Sequence, residues 1–226
     1  MKNKILFVWD LHGTLEKGNV RAVCELTNLV LRDSGIKKKI TLQNAVDWYG
    51  LSWFDYFKLA VPEGNQQLWE ELLKRLFSLK EKGWAVIKKH MKLRDFATEV
   101  LKTIRKQGHH NIILSNTPPQ HIQTFTDLLK ITHYFNDIIG VDSYLSTGVN
   151  KKNQDTKSQV LRGFLKNREY KKVILIGDSE GDVRAGKKCG AITYLFVDPE
   201  FKKYRKNTEA NYVIFDLKDV LKELKN

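Results

Sequence analysis

From residue 93 onward the chain repeats one pattern, a short and continuously apolar run followed by a segment of helical period. The apolar runs are "NIILS" at 111–115, "NDIIGVD" at 136–142, "KKVILIGD" at 171–178, "ITYLFVD" at 192–198 and "ANYVIFD" at 210–216. Helical periods lie at Arg94–Lys106, His121–Leu129, Asp155–Leu165, "DVRAGKKCG" at 182–190 and the closing "LKDVLKELKN". A strand that is apolar on both faces must be covered on both, and strands separated by helices pair in parallel. The pattern therefore predicts an α/β class fold: a Rossmann-like parallel sheet with helices on both faces. Lys4–Trp9 reads as one more buried strand of that sheet.

The stretch between this first strand and residue 93 obeys a different rule. Val20, Val23, Leu26, Val30 and Leu31 recur at helical spacing until Ser34-Gly35 ends the helix. Residues 41–90, including "AVDWYGLSWFDYFKLAV" and "NQQLWEELLKRLFSLKEKGWAVIKKH", read as helical throughout, with no strand alternation. The expected organisation is an α/β core at 1–15 and 92–226, interrupted by a helical insert at 16–91. Hinges are expected near Glu16–Gly18 and Met91–Leu93. The aromatic cluster Trp48, Tyr49, Trp53, Phe54, Tyr56 and Phe57 reads as the core of the insert.

Composition narrows the class. With 226 residues, 42% hydrophobic and 29% charged, the chain can bury one large core with a smaller insert. No apolar run approaches a membrane span, and Ile5–Trp9 is too short for a signal-peptide core. Cys24 and Cys189 are far apart and no Cys-x-x-Cys pair exists, so a reduced, cytoplasmic setting is expected. A formal net charge of +13 favours anionic partners. The lysines are scattered in pairs, the longest run is Lys37-Lys38-Lys39, and no nucleic-acid motif accompanies them. That distribution favours a lysine-rich solvated surface over a nucleic-acid interface. Nothing in the sequence specifies an oligomeric state.

Open α/β sheets bind ligands beyond the carboxyl ends of their strands, so the residues that end each strand are the candidates. The first strand ends in Asp10. The second ends in Ser115-Asn116. "VILIG" ends in Asp178, and Asp182 follows at the start of the next helix. Taken singly, each could be a cap or turn residue. Taken together, they put carboxylates and a hydroxyl on one sheet edge. His90, His109, His110, His121 and His133 have no ligand spacing.

This set resembles the haloacid dehalogenase-like hydrolase superfamily over nearly the whole chain. "WDLHGTL" is similar to the family's first motif, Asp-x-Asp-Gly-Thr-Leu, except at the second aspartate. "IILSN" resembles the second motif, and "ILIGDSEGDVRAGKKCGA" the fourth, with its Gly-Asp-x-x-x-Asp pattern. The third motif is a lysine near the preceding helix, for which Lys151, Lys152 and Lys157 are all candidates. Lys157, in the first turn of the predicted helix, is favoured. The resemblance implies a Mg²⁺-dependent phosphomonoesterase acting on a small phosphorylated metabolite. Asp10 would be the nucleophile and would form an aspartyl-phosphate. Asp10, Asp178, Asp182 and the backbone carbonyl of His12 would hold Mg²⁺, which favours oxygen ligands. Ser115, Asn116 and Lys157, or Lys152, would bind phosphate, and Gly13 would let the backbone turn past it. The helical insert would be a small cap, with "WYGLSWFDYF" as its specificity region.

His12 stands where such phosphatases carry their acid–base aspartate. Three readings follow, in this order. His12 takes over proton transfer, a role imidazole suits. The chain is a dehalogenase- or phosphonatase-like hydrolase that needs no acid there. Or it is a catalytically weak member that binds phosphate or a partner.

Overall fold

The computed structural model describes residues 3–141, 156–201 and 208–225. Their contacts divide the chain into two compact units. One holds the described residues up to Glu16 and those from Leu93 onward; the other holds Lys17–Lys92.

The first unit is built on a six-stranded sheet. Its strands are β1 (Ile5–Trp9), β4 (His110–Ser115), β5 (Asp137–Gly140), β6 (Lys172–Gly177), β7 (Ile192–Phe196) and β8 (Tyr212–Ile214). The order is β5-β4-β1-β6-β7-β8, and every pairing is parallel. All five predicted runs and the N-terminal strand are therefore strands of one sheet. β1 lies at the centre because it is apolar at every position, and all five of its residues are buried. One face carries Leu6, Val8, Ile112, Leu114 and Leu175. It is covered by Leu161 of α8 (Thr156–Leu165) and Ala185 of α9 (Glu180–Lys188). On the other face, Asn111 accepts from the buried Trp9 indole at 3.0 Å and donates to the carbonyl of Leu101 in α6 (Ala97–Lys106). Helices thus cover both faces, as the continuously apolar strands require.

Several details differ from the sequence reading. α6 starts at Ala97 rather than Arg94, because Phe96 takes a left-handed conformation (φ 62°) and Arg94 is drawn into a contact described below. The closing segment Leu217–Lys225 is 3₁₀ rather than α-helical. It still packs, through Glu223, whose carboxylate accepts from the buried Tyr194 hydroxyl at 2.6 Å. Among the described residues this unit also holds α7 (Pro119–Leu128) and a short 3₁₀ turn at Thr132–Tyr134.

The second unit is all helical apart from its ends. It comprises α1 (Asn19–Asp33), α2 (Leu42–Asp47), α3 (Trp53–Ala60), α4 (Gln66–Ser78) and α5 (Lys80–His90). The run read as continuously helical is divided at side-chain caps: Thr41, Ser52 and Asn65 each accept from a backbone N–H of the helix that follows. Tyr56 and Phe57 are buried, and Trp53 packs against both. The chain passes between the units through β2 (Glu16–Lys17) and β3 (Lys92–Leu93), which pair as a two-stranded sheet.

Candidate active site

Parallel pairing aligns the carboxyl ends of the central strands. Trp9 is in register with Ile113 of β4 and with Ile176 of β6. The next residue, Asp10, still donates its N–H to the Ile176 carbonyl at 2.9 Å. Asp10 and Asp178 therefore leave adjacent strands side by side. Asp182 reaches them from the start of α9, and one carboxylate oxygen of each of the three lies within 4.8 Å of the others.

Asp182 is fixed from two sides. It is the third residue of a capping box with Ser179, whose N–H and hydroxyl both donate to its Oδ2. Its other oxygen, Oδ1, accepts from Lys157 at 2.6 Å. The close approach needs Gly177, where a Cβ would lie 2.3 Å from the Asp182 side chain.

Lys157 lies in the first turn of α8 and is buried. Its ammonium donates to Asp10 Oδ1 at 2.7 Å as well as to Asp182. Of the three lysines considered for the third motif, Lys157 enters the carboxylate cluster; Lys151 and Lys152 lie outside the described residues.

One ammonium among three carboxyls leaves an excess of negative charge in a buried place. Burial, and then the charge of Asp182, raise Asp10 above the ordinary carboxylate range, against the pull of Lys157. Burial, followed by Asp10 and Asp182, raises Asp178 well above it. Burial works against the Lys157 ammonium, but Asp10 and Asp182 more than offset this and hold it above its ordinary range. Hard oxygen donors with surplus negative charge, in an environment that resists their ionisation, suit a small divalent cation.

The other candidates fall around this cluster. Ser115 is buried at the end of β4, with its hydroxyl 3.1 Å from that of Thr117 and accepting the Thr117 N–H. Thr117 is equally buried. Asn116 is exposed. Gly13 has a positive φ of 82°. The ring of His12 lies edge-on to Phe125 (centroids 5.0 Å apart), and its Nδ1 is 3.1 Å from Glu16 Oε2.

Two residues around the first-motif loop escaped the sequence reading. Glu16 is fully buried. Arg94 is nearly so, and its guanidinium donates to the carbonyls of Gly13 (2.9 Å), Thr14 (3.4 Å) and Glu16 (3.4 Å). It also pairs with Asp198 at 2.8 Å and lies 4.7 Å over the Phe196 ring. The His12–Glu16 spacing of four residues was visible in the sequence. Arg94 gave no such signal, since the carbonyls it binds are 78 to 81 residues away.

Comparison with known proteins agrees with this architecture. A phosphoglycolate phosphatase of Aliivibrio fischeri is 23% identical over 197 residues, 84% of each chain. A phosphoglycolate phosphatase of Pseudomonas fluorescens is 30% identical over 102 residues, 43% of this chain and 36% of that relative. Among solved structures, a haloacid dehalogenase-like family hydrolase from Streptococcus pneumoniae superposes with a TM-score of 0.75 at 18% identity, covering 99% of both chains. A predicted phosphoglycolate phosphatase from Haemophilus somnus gives 0.76 at 18% identity, again over 99% of both. The family model of haloacid dehalogenase-like hydrolases matches residues 6–190. The chain belongs to the haloacid dehalogenase-like hydrolase family, and it is an enzyme.

Proposed function

We propose that the protein is a Mg²⁺-dependent phosphomonoesterase that hydrolyses a small phosphorylated metabolite through an aspartyl-phosphate on Asp10. The observation that carries this reading is the convergence of Asp10, Asp178 and Asp182 within 4.8 Å, two of them bridged by the buried Lys157. The phosphoglycolate phosphatase relatives make 2-phosphoglycolate the first substrate to test.

Phosphoryl transfer asks the protein mainly for positioning and charge neutralisation. Asp10, Asp178, Asp182 and the His12 carbonyl would hold the metal. When bound, it neutralises the charge that builds up as a phosphate dianion meets a carboxylate. Lys157, with Ser115 at the neighbouring strand end, would take phosphate oxygens; Lys157 then exchanges part of its contact with the aspartates for contact with substrate. A carboxylate oxygen of Asp10 attacks phosphorus, and the bond to the leaving oxygen breaks. His12 gives that oxygen a proton. It then takes a proton from the water that attacks the aspartyl-phosphate, so Asp10 and inorganic phosphate are released and the imidazole returns to its starting state.

The test is phosphate release from a panel of phosphorylated metabolites, including 2-phosphoglycolate and 4-nitrophenyl phosphate, with Mg²⁺ and with EDTA. Turnover is expected only with metal, and none from Asp10→Asn. Absence of metal-dependent turnover on every ester, or full activity in Asp10→Asn, would refute the proposal.

A further inference from the structure

Glu16 is in an expensive position. Its side chain is fully buried; among the described residues its Oε1 has no hydrogen-bond partner and its one side-chain partner is His12 Nδ1, 3.1 Å from Oε2. A buried carboxyl with an unused oxygen destabilises a fold, so packing alone is a poor reason for it. The backbone around it is tightly held. Glu16 donates its N–H to the Leu11 carbonyl at 3.0 Å, and its own carbonyl accepts from Arg94. Residues 12 and 16 also form an isolated β-bridge. The carboxyl is thus held from the backbone, and the His12 ring meets it through Nδ1 while also packing at a steep angle against Phe125.

We propose that Glu16 is a positioning residue for His12. It accepts the Nδ1 proton of the imidazole, which sets the ring's orientation and its tautomer. In a neutral imidazole only one nitrogen carries a proton, so holding it on Nδ1 leaves the lone pair on Nε2. A carboxylate that orients a histidine through its second nitrogen is a recurrent device wherever imidazole does chemistry. In this chain it accounts for the two departures together: a histidine in place of the acid–base aspartate, and a buried glutamate four residues later. The inference rests on the reading of His12 as the proton-transfer group.

The experiment uses the full chain with Mg²⁺ and 4-nitrophenyl phosphate, together with ¹⁵N spectra of the histidine side chains. Spectra are taken at roughly pH 9, where imidazoles are neutral, and loss of a signal in His12→Asn assigns His12. The wild-type ring is expected as the Nδ1–H tautomer. Glu16→Leu should shift it towards Nε2–H, lower kcat by about 10- to 100-fold with little change in KM, and leave the melting temperature unchanged or higher. Glu16→Gln keeps an acceptor oxygen and should recover both the tautomer and most of kcat. An Nε2–H wild-type ring would overturn the inference without any variant having to fold. Wild-type kcat in Glu16→Leu, beside a crippled His12→Asn, would sink it while leaving the role of His12 standing. Undiminished turnover in His12→Asn would instead refute the role of His12.

Discussion

Lys157 is the residue on which the cluster depends most. It is buried, and it donates to two of the three carboxylates. Lys157→Met should destabilise the metal-free protein by about 3–5 kcal/mol, the cost of leaving buried charge unpaired. It should also abolish measurable turnover; unchanged thermal stability in the metal-free variant would contradict the geometry. The shifts of Asp10 and Asp178 carry a pH prediction. Both lie above their ordinary value of 3.8 in the folded chain. Above that pH the folded protein keeps protons that the unfolded chain has released, so metal-free stability falls as pH rises. Lys157, raised from 10.5, contributes a stabilisation that is constant below that pH and does not cancel the slope. Mg²⁺ should therefore raise the melting temperature more at about pH 8 than at about pH 5. The gain should be about 5–10 °C at a metal concentration near one hundred times Kd. Equal gains at both pH values in calorimetry would separate the carboxylates from metal binding. Gly177→Ala tests the close approach. The new Cβ must displace an Asp182 already held by Ser179 and Lys157. A fall in kcat/KM of about 100-fold is expected from such a misplacement; wild-type kinetics would mean that Asp182 has room to move.

At the scale of elements, strand ends carry the candidate site residues and the segments around them are pinned by caps and clamps. The N-terminus of α9 is set by the Ser179 capping box. Ser179→Ala should cost about 1 kcal/mol, or 2–4 °C for a chain of this size, measured by thermal melting. Arg94 does for the first-motif loop what Ser179 does for the helix, tying the carbonyls of Gly13, Thr14 and Glu16 to one guanidinium. Arg94→Met should destabilise by about 3 kcal/mol, the low end for a buried pair because Asp198 keeps some solvent. It should lower kcat as well, since the loop carries His12 and Glu16; a purely structural effect would leave the kinetics of the folded fraction untouched. These elements were legible to different degrees. Apolar runs named every strand of the six-stranded sheet, because a strand buried inside the fold cannot hide its composition; β2 and β3, two residues each, carry no such run. The start of α6 was misplaced because the chain before it answers to Arg94 and its distant partners rather than to local helical period.

Across the whole molecule the surplus of 13 positive charges should act on rate more than on affinity. The expectation is steering of an anionic substrate, so kcat/KM should fall as ionic strength rises while kcat stays nearly constant. A salt-independent kcat/KM would assign the lysines to solubility alone. Family membership rests on the match across residues 6–190, which spans both compact units.

By itself the sequence determined the fold class and the strand-end placement of Asp10 and Asp178, since both follow from local rules; it left Lys151, Lys152 and Lys157 as candidates for the third motif, with Lys157 favoured from its place in the first helical turn. A continuously apolar strand must be buried, its end must face the ligand edge of a parallel sheet, and the first helical turn points back at that edge. Only the tertiary structure decided that Lys157 bridges Asp10 and Asp182, that Arg94 clamps the loop after β1, and that Glu16 is buried against His12. Those contacts join residues whose neighbours in sequence say nothing of one another. Strand register and burial set them, and these exist only once the chain has folded.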